Sequence, residues 1–504
     1  MNRQFDQLLD KVRREGGEIR SDSREVGKGD IFVAVPGVNA DGARFIPPAV
    51  EAGASTIVCL PGRAEAEAAR AAGRTVICHE DPREALWRLA EARWHTGSLP
   101  LRVLGVTGTN GKTTSAYLLE HLFTATGHKV GVLGTVSYRW PGHSEAAPLT
   151  TPDPLRVHAM LAAMAQAGVD IAVMEVSSHA LDQQRVCGVP FAGASFSNLT
   201  QDHLDYHGTM EAYRRAKGRL FRQSERAVLN LDDEAGRWYR ERIACPSLTY
   251  SENKDTADLT AKNIRLFPGH VEFEAVARGQ ITRVHLPIPG GFTIYNALAA
   301  LACGLCLDIP LDKAAAPLRA VRGVKGRVEV VPVPTAYTVI IDYAHTPDAL
   351  ENILTTARDF TAGRLICVFG CGGDRDRGKR PLMGAVAAEL ADLVVVTSDN
   401  PRTEGPEDII EDILPGMEGM DTQCHVEPDR PEAICWALSQ ARPGDVVVLA
   451  GKGHETYQEI NGVQYHLDER EVVAGYFRGQ REGAGKKQGQ GTENGGKVPA
   501  YVVK

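Results

Sequence analysis

The sequence predicts an α/β protein with three domains. Apolar runs of strand length alternate with alanine-rich helical stretches along most of the 504 residues. The composition, 43% hydrophobic and 24% charged, is ordinary for a globular protein, and the length suits two to four domains. Turn residues at 95–100 and the prolines after Arg327 interrupt the alternation. We therefore predict domains at 1–99, 100–328 and 329–478.

Charge and apolar runs exclude several classes of protein. The net charge is −8, and no Lys/Arg block is long enough to predict nucleic-acid binding. The longest apolar run, 297–307, is too short to cross a bilayer, and the first residues lack the apolar core of a signal peptide. Ten cysteines without framework spacing fit a reducing compartment. We expect a cytoplasmic monomer without membrane insertion.

The first domain is predicted as a small α/β module, with strands inside 30–37, 55–60 and 75–80. The second should contain a mostly parallel sheet, because its apolar runs are nearly continuous. Those runs are 101–108, 130–136, 170–178, 192–200 and 227–233. Residues 260–288 alternate instead, which predicts antiparallel hairpins at the edge, and a buried helix should follow at 296–307.

The third domain is predicted as a Rossmann-like α/β unit. Its strands should lie inside 337–345, 364–373, 392–401 and 445–453. Residues 479–504 are rich in Gly, Lys and Gln and cannot bury enough apolar surface to offset the entropy of ordering. We therefore predict a disordered tail there.

A glycine-rich loop, GVTGTNGKTT at 105–114, follows an apolar strand and begins a helix. Such a loop directs backbone N–H groups at a phosphate, the lysine faces the β- and γ-phosphates, and the following hydroxyl can ligate Mg²⁺. Val106 departs from the strict P-loop pattern, but the context predicts an ATP-binding, P-loop-type domain. The predicted ATP-binding residues here are Gly108, Thr109, Asn110, Gly111, Lys112, Thr113 and Thr114.

The TGTNGKTT form of this loop resembles that of the Mur ligase family, amino-acid-adding enzymes of peptidoglycan synthesis, and of the related folylpolyglutamate synthases. Two later residues acquire roles from that resemblance. From the residues alone, Glu175 is either a capped loop carboxylate or a cation ligand, and a lone His203 is more often structural. The resemblance implies that both ligate a second Mg²⁺, in addition to the Thr113 site.

Lys217 lies in AYRRAKGRLF, and composition alone describes it as an exposed helix lysine. In the family, the lysine of this motif is implied to be carbamylated by CO₂. The resemblance also implies that Asn296, Arg327 and Asp342 contact the nucleotide, the last two when the C-terminal domain closes. Without the resemblance each has a structural interpretation, such as a turn arginine or a helix-capping aspartate. Thr293 stands where the family usually has Asn.

The segment SDNPRTE at 398–404 predicts an amino-acid pocket. Its Asn-Pro turn follows a strand, and a guanidinium offers a planar fork for a carboxylate. Diaminopimelate-adding members of the family share the D-N-P-R motif, whereas lysine-adding members lack its arginine. A basic loop that binds only ATP phosphate is the alternative. The predicted meso-diaminopimelate contacts are Arg375, Asp399, Asn400, Pro401, Arg402, Gly451 and Glu455.

The N-terminal segment 20–45, with DSR, GDIF and ADG, resembles the uridine-nucleotide domain of these ligases. The residues implied to contact the UDP-sugar peptide are Ser23, Asn39, Ala40, Thr150, Thr151, Ser177, Gln183 and Arg185. The resemblance covers about residues 20–475.

The implied reaction is ATP- and Mg²⁺-dependent amide ligation of meso-diaminopimelate to UDP-MurNAc-L-Ala-D-Glu through an acyl phosphate. Three alternatives stay open: the same ligase with lysine or another amine, a ligase like folylpolyglutamate synthase, and an ATP-binding switch or scaffold without ligation.

Overall fold

A computed structural model describes residues 3–37, 41–267, 269–321 and 323–487. Its residues cluster into two compact units. One comprises Met1–Ala261, Ala275–Thr282 and Tyr295–Pro317, and the other Lys262–Glu274, Arg283–Ile294 and Leu318–Lys504.

The helices are α1 Arg3–Glu15, α2 Ile46–Glu51, α3 Ala64–Ala71, α4 Pro82–Trp94, α5 Lys112–Ala125, α6 Pro154–Gln166, α7 Ser178–Asp182, α8 Leu204–His207, α9 Met210–Gly218, α10 Glu234–Arg240, α11 Gly291–Cys306, α12 Leu311–Ala315, α13 Pro347–Arg358, α14 Lys379–Leu390, α15 Pro406–Ile413, α16 Arg430–Gln440 and α17 Glu469–Lys487. The strands are β1 Ile19–Arg20, β2 Ile31–Val33, β3 Thr56–Cys59, β4 Thr75–Cys78, β5 Arg102–Thr107, β6 Val130–Leu133, β7 Ser137–Trp140, β8 His143–Ala146, β9 Ile171–Glu175, β10 Phe191–Phe196, β11 Ala227–Asn230, β12 Ser247–Ser251, β13 Leu259–Phe267, β14 His270–Ala277, β15 Gln280–Leu286, β16 Glu329–Val331, β17 Thr338–Asp342, β18 Leu365–Phe369, β19 Leu393–Val396, β20 Gln423–Val426, β21 Val446–Ala450, β22 Tyr457–Ile460 and β23 Val463–His466.

The N-terminal module is a four-stranded parallel sheet in the order β1-β2-β3-β4. Helix α1 buries an apolar stripe of Phe5, Leu8, Leu9 and Val12, whose spacing of three to four residues is that of one helix face. Helix α4 begins where the Asp81 carboxylate accepts from the first free backbone N–H groups. This confirms the predicted α/β module and adds β1, a two-residue strand that is too short for a sequence pattern to predict.

The central sheet has eleven strands in the order β15-β14-β13-β12-β11-β10-β5-β9-β6-β7-β8. Strands β5, β9, β6, β10 and β11 run parallel, as predicted. Strand β5 lies between β9 and β10, and its register pairs Val106 with Glu175 and Thr107 with Phe196. The carboxyl ends of these three strands therefore surround the start of the glycine-rich loop. The predicted buried helix is α11, which begins five residues earlier than expected.

The second unit contains a six-stranded sheet in the order β16-β17-β21-β18-β19-β20, parallel except at β16. Its core strands are fully buried, which explains their continuous apolar sequence. Register pairs Asp342 with Ala450 and Phe369 with Val396, so the loops after β17, β18, β19 and β21 leave from one edge of the sheet. Ligands bind at this edge in open α/β sheets.

Helix α17 extends through Lys487, so residues 479–487 of the predicted tail are helical, and 488–504 lie outside the described residues. The sequence patterns missed the β7–β8 hairpin, β12, β16, β20 and the β22–β23 hairpin, which are short or partly exposed and carry little apolar periodicity. Within the described part of the chain, no helix has both the length and the apolarity to span a bilayer.

Candidate functional site

The phosphate loop connects β5 to α5 through residues 108–111. Gly108 and Gly111 have φ of +148° and +86°, a backbone conformation that favours glycine. A Cβ would lie 1.9 Å from Ser197 Oγ at Gly108 and 2.3 Å from Asn296 Oδ1 at Gly111, so neither position has room for a side chain. Lys112 Nζ donates to the carbonyls of Gly108, at 3.0 Å, and Thr109, at 2.8 Å. The Lys112 side chain therefore folds back onto the phosphate loop of which it was predicted to be part.

Two predicted Mg²⁺ ligands, Thr113 and Glu175, meet beside this loop. The Glu175 carboxylate is 1% exposed and accepts from Thr113 Oγ1 at 2.9 Å. Thr135 donates to it twice, from Oγ1 at 2.9 Å and from its backbone N–H at 3.0 Å. Gly134 allows this approach, because a Cβ there would lie 2.3 Å from Glu175 Oε1. A buried carboxylate among hydroxyls is a set of hard oxygen donors that suits Mg²⁺.

Lys217 is buried, with 1% exposure, so its description as an exposed helix lysine is wrong. It lies at the end of α9, and its Nζ donates to the Gly108 carbonyl at 2.7 Å. Desolvation lowers its pKa well below the ordinary lysine value, and the nearby charge of Lys112 lowers it further. Composition could not show this, because α9 also carries Glu211 and Arg215, which are exposed, and only the packing of the helix shows that Lys217 is directed toward the loop.

Tyr213 lies close both to His203 and to residues of the phosphate-loop site. Its hydroxyl lies 3.2 Å from Thr109 Oγ1, and its ring lies 4.6 Å from Lys217 Nζ and 6.1 Å from the His203 ring centroid. His203 has a left-handed φ of +53°, and its Nε2 lies 3.3 Å from an Asp202 carboxylate oxygen. The sequence analysis did not identify Tyr213, although it lies four residues before Lys217, one helical turn away.

Asn296, at 4% exposure, faces the loop from α11. Its Oδ1 accepts from Ser115 Oγ at 3.3 Å, and its Nδ2 is buried without a hydrogen-bond partner among the described residues. A buried amide donor without a partner is unfavourable unless a ligand accepts from it. Its position therefore suits a nucleotide on the Gly111 side of the loop.

The predicted peptide-binding residues form a cluster after β9. Thr151 Oγ1 donates to the Glu175 carbonyl at 2.8 Å and lies 3.4 Å from Ser177 Oγ, which caps α7. Arg185 donates to the Thr151 carbonyl at 3.0 Å and to Gln183 Oε1. Thr150 Oγ1 lies 3.2 Å from Thr135 Oγ1, which joins this cluster to the Glu175 site.

Three of the predicted UDP-sugar contacts belong to the N-terminal module. Ser23 is half-buried in a single 3₁₀ turn that the Asp22 side chain caps. Asn39 and Ala40 lie outside the described residues.

Arg327 and Asp342 belong to the second unit. The Arg327 guanidinium lies 5.0 Å from the Tyr343 ring centroid, and its Nε is buried without a partner among the described residues. The Asp342 carboxylate accepts from Val328 N–H at 2.8 Å. Burial raises the pKa of Asp342, and the charge of Arg327 opposes that rise.

The predicted amino-acid pocket lies at the carboxyl ends of β19 and β21. Asn400 is 4% exposed, and its Nδ2 donates to Glu455 Oε2 at 2.9 Å. Asp399 is also buried, and a Cβ at Gly451 would lie 2.6 Å from its Oδ2. Gly451, with φ of +118°, therefore provides the close approach of these two loops.

Arg402 has a left-handed φ of +53°, and its side chain contacts the loop after β18. Its Nη1 donates to the Gly373 carbonyl at 2.8 Å, and its Nε lies 3.3 Å from Glu459. Arg375 is exposed, and both arginines lie near Gly372: a Cβ there would be 3.0 Å from Arg402 Nη1 and 3.8 Å from Arg375 Cγ. The structure thus places the Arg402 guanidinium and the stem of the Arg375 side chain beside the same residue of one loop.

Sequence reasoning missed two groups in this pocket. Lys452 is 0% exposed, and its Nζ lies 3.0 Å from Asn400 Oδ1 and 3.2 Å from Glu455 Oε2. Lys452 directly follows Gly451 in the motif AGKGHE, so its place beside a predicted pocket residue could have identified it. Arg430 forms a fully buried ion pair with Glu469 and donates to the carbonyls of Ser398, two residues after β19, and Ala450, the last residue of β21. No sequence motif marks Arg430.

Comparisons with known proteins agree with this architecture. Three family descriptions match consecutive parts of the chain: "Mur ligase family, catalytic domain" at 17–94, "Mur ligase middle domain" at 106–304 and "Mur ligase, glutamate ligase domain" at 326–453. These ranges fit the predicted three-domain organisation. The domain limits at 99/100 and 328/329 stay predictions.

Individual relatives are similar over nearly the whole chain. A UDP-N-acetylmuramoyl-L-alanyl-D-glutamate–2,6-diaminopimelate ligase of Synechococcus sp. is 46% identical over 466 residues, which are 90% of this chain and 93% of the relative. The enzyme of the same name from Thermosynechococcus vestitus is also 46% identical, over 91% of this chain and 93% of its own. A solved structure of a ligase of that name has 36% identity and a TM-score of 0.68 and covers 92% of this chain and 95% of its own. With its phosphate loop, buried Glu175 and buried Lys217 in place, the chain belongs to the Mur ligase family.

Proposed function

We propose that this chain is an ATP-dependent amide ligase that adds meso-diaminopimelate to the D-Glu γ-carboxylate of UDP-MurNAc-L-Ala-D-Glu. One observation carries the ligase assignment: a phosphate loop, a buried carboxylate and a buried lysine converge within hydrogen-bond distance of residues 108–113. The relatives' names and the Asp399–Arg402 turn support the choice of substrates.

The chemistry begins with activation, because a carboxylate is a poor electrophile. A γ-carboxylate oxygen attacks the γ-phosphorus of ATP, and the bond to the bridging oxygen breaks as ADP leaves. The amine of diaminopimelate then attacks the acyl carbon, a proton leaves its nitrogen, and the phosphate departs as an amide forms. Lys112 and the backbone N–H groups at the start of α5 stabilise the charge on the transferred phosphoryl group.

One Mg²⁺ would be held by Thr113, and a second by Glu175 and His203. The Thr113 hydroxyl and the Glu175 carboxylate lie 2.9 Å apart through a hydrogen bond, and their oxygens fit a hard cation. When bound, the ion supplies positive charge that neutralises the phosphate oxygens. Thr135 orients the Glu175 carboxylate through two hydrogen bonds, so the donor set is fixed before a ligand arrives.

Lys217 is proposed to react with CO₂ to form a carbamate. The amine nitrogen must be unprotonated to attack carbon: an N–C bond forms, one C=O π bond shifts to oxygen, and a proton leaves nitrogen. Burial supports this reaction, because it lowers the pKa of Lys217 and favours the neutral amine. The resulting anion would lie beside the cations of the phosphate loop.

The amino-acid pocket suits a zwitterion that carries a second carboxylate. Arg402 and Arg375 near Gly372 offer guanidinium groups for carboxylates, and Glu455, Asp399 and the Asn400 amide offer acceptors for an ammonium. Lysine lacks the distal carboxylate and would leave a guanidinium without its partner, which costs affinity when the group is removed from water.

Phosphate release with ATP, Mg²⁺ and UDP-MurNAc-L-Ala-D-Glu tests the proposal. Meso-diaminopimelate, lysine and glutamate are compared as amines at matched concentrations. The proposal predicts release that requires both the dipeptide and diaminopimelate. Equal turnover with lysine would contradict the substrate choice, glutamate-dependent turnover would favour a ligase like folylpolyglutamate synthase, and amine-independent release would favour a switch. A cytoplasmic location is proposed on the same basis, since ATP and the UDP-linked substrate are used together, and the monomer stays a prediction.

A further inference from the structure

Three side chains on the β14–β15 hairpin form a cluster of metal-ligand type. His270 and Glu272 lie two residues apart on β14 and therefore on one face, and His285 lies on β15. The strands are joined by Arg278 and Gly279, with φ of +50° and +76°, as in a two-residue hairpin turn. The alternate residues Val271, Phe273, Val284 and Leu286 are buried, so the three ligand-type residues share the outer face of the hairpin.

The ligand atoms of the three side chains already lie close together. One imidazole nitrogen of each histidine and one Glu272 oxygen lie within 4.8 Å of one another. Two ligand atoms that each lie roughly 2.0–2.2 Å from the same tetrahedral ion are about 3.4 Å apart. Side-chain rotations that move the ligand atoms of the three residues by about 1 Å would therefore bring them to the distances that a bound ion requires. His285 Nδ1 is already 3.4 Å from Glu272 Oε1.

Neighbouring residues hold part of this cluster in place. The His270 ring stacks on Phe267 with centroids 4.3 Å apart, which limits its orientations. The centroids of the two histidine rings lie 4.7 Å apart. Arg283 Nη2 donates to Glu272 Oε2 at 2.8 Å, but its side chain is 67% exposed and can turn into solvent.

We propose that His270, Glu272 and His285 form a second metal site, which binds a divalent transition ion of the Zn²⁺, Co²⁺ or Ni²⁺ type. Two imidazoles and one carboxylate suit such ions, whereas Mg²⁺ prefers oxygen ligands. Water completes the coordination, because the face is open to solvent. The ion displaces Arg283 from Glu272 and links the two strands of the hairpin.

Co²⁺ binding to the full chain tests this site, by equilibrium dialysis and visible absorption with excess Mg²⁺ present to occupy oxygen-rich sites. The wild type should take up one Co²⁺ that His270→Ala and His285→Ala each bind at least about tenfold more weakly, since even second-shell changes typically cost 10–100-fold. Arg283→Ala should bind Co²⁺ more tightly, because it removes the competitor for Glu272.

His466→Ala is the matched control, since His466 is an exposed strand histidine paired with Glu471. It should bind Co²⁺ like the wild type, and all four variants should keep wild-type ligase activity with Mg²⁺, which shows that they fold. If the His270→Ala/His285→Ala double variant retains the wild-type Co²⁺ affinity, or if the wild type binds no such Co²⁺, the proposal is wrong.

Discussion

The phosphate loop and the amino-acid pocket place their cations against different partners. Around the loop, Lys112 and Lys217 donate to the same neutral acceptor, the Gly108 carbonyl, at 3.0 and 2.7 Å. In the pocket, Lys452 lies 3.2 Å from Glu455, and Arg402 lies 3.3 Å from Glu459. Hydrogen bonds to carbonyls do not cancel a charge, whereas ion pairs do.

This difference in the partners of the cations suits the two regions to different kinds of ligand. A site for polyphosphate gains from positive potential, and its position is set by backbone geometry that glycines permit. A site for an amino acid gains from paired charges in fixed orientations, because a zwitterion brings both signs and selection depends on geometry. The loop should therefore be sensitive to loss of charge, and the pocket to loss of orientation.

The largest effect is expected from Lys217→Ala. If the carbamate forms, its loss removes an anion from a buried position near the loop, and activity should fall by about 10³-fold or more, beyond the effect of losing one electrostatic contact. Formate or acetate should restore part of the activity by replacing the anion. Phosphate release with and without added carboxylate measures both effects, and an active alanine variant would return Lys217 to a structural role.

Lys112→Ala should lower kcat by about 10²- to 10³-fold, because one preorganised charge at the transferred phosphoryl group is lost. Its half-buried side chain contributes little to the core, so the unfolding midpoint should stay near that of the wild type. Lys313→Ala removes an exposed helix lysine and serves as the matched control. Wild-type turnover in the Lys112 variant would contradict the assignment of the loop.

Arg402→Ala should raise the KM for diaminopimelate about 10²-fold and leave the KM for ATP nearly unchanged. The substitution removes the planar guanidinium and leaves Glu459 without its ion-pair partner. An unpaired carboxylate would then face the distal carboxylate of the substrate. The preference over lysine should fall accordingly. Arg402→Lys should recover only part of it, because a point charge cannot replace a planar fork. Unchanged selectivity in Arg402→Ala would show that this pocket does not choose the amine.

The two regions also differ in what sequence could predict. The phosphate loop and the D-N-P-R turn were predictable because each follows an apolar strand and has a motif of fixed spacing, whereas Glu175, at the end of an apolar strand, acquired a single role only through the family resemblance. Burial of Lys217 was not predictable from composition, since it depends on how α9 packs against the loop. The same holds for Arg430 and Glu469, which are 39 residues apart in sequence and meet only in the folded sheet. Short strands such as the half-buried β22 and the exposed β23 lack the apolar pattern by which strands are predicted.

Lys452→Met tests orientation within the pocket and should have a smaller effect. Methionine fills a similar volume but cannot donate to Asn400 Oδ1 or Glu455 Oε2. Without these bonds both side chains gain freedom, and we expect the KM for diaminopimelate to rise about tenfold at nearly constant kcat. Lys325→Met, at an exposed lysine of the same unit, is the control. A fall in kcat at constant KM would contradict a positioning role.

His158 tests how burial alone affects a base. It is buried like Lys217, but both of its ring nitrogens have hydrogen-bond partners. Cys187 O can only accept, so Nε2 donates to it at 3.0 Å, and Nδ1 accepts from Thr96 Oγ1 at 2.7 Å. Burial lowers the pKa of His158 to about 4. The unfolded chain, with an ordinary histidine pKa near 6.5, therefore binds a proton that the native chain excludes between these values.

Native stability should consequently fall as the pH drops from about 6.5 toward 4, by about 2 kcal/mol at pH 5 and about 3 kcal/mol in full, and the loss should stay constant below that. Urea unfolding at pH 7.5 and pH 5 measures it. Glutamine at position 158 cannot titrate, so the His158→Gln variant should lose less stability between pH 7.5 and pH 5. This holds even if the variant is less stable than the wild type at pH 7.5. His466→Gln should not reduce the loss, because the pairing of His466 with Glu471 raises its pKa and acts in the opposite direction. An identical acid loss in wild type and His158→Gln would show that native His158 does not exclude a proton over this interval.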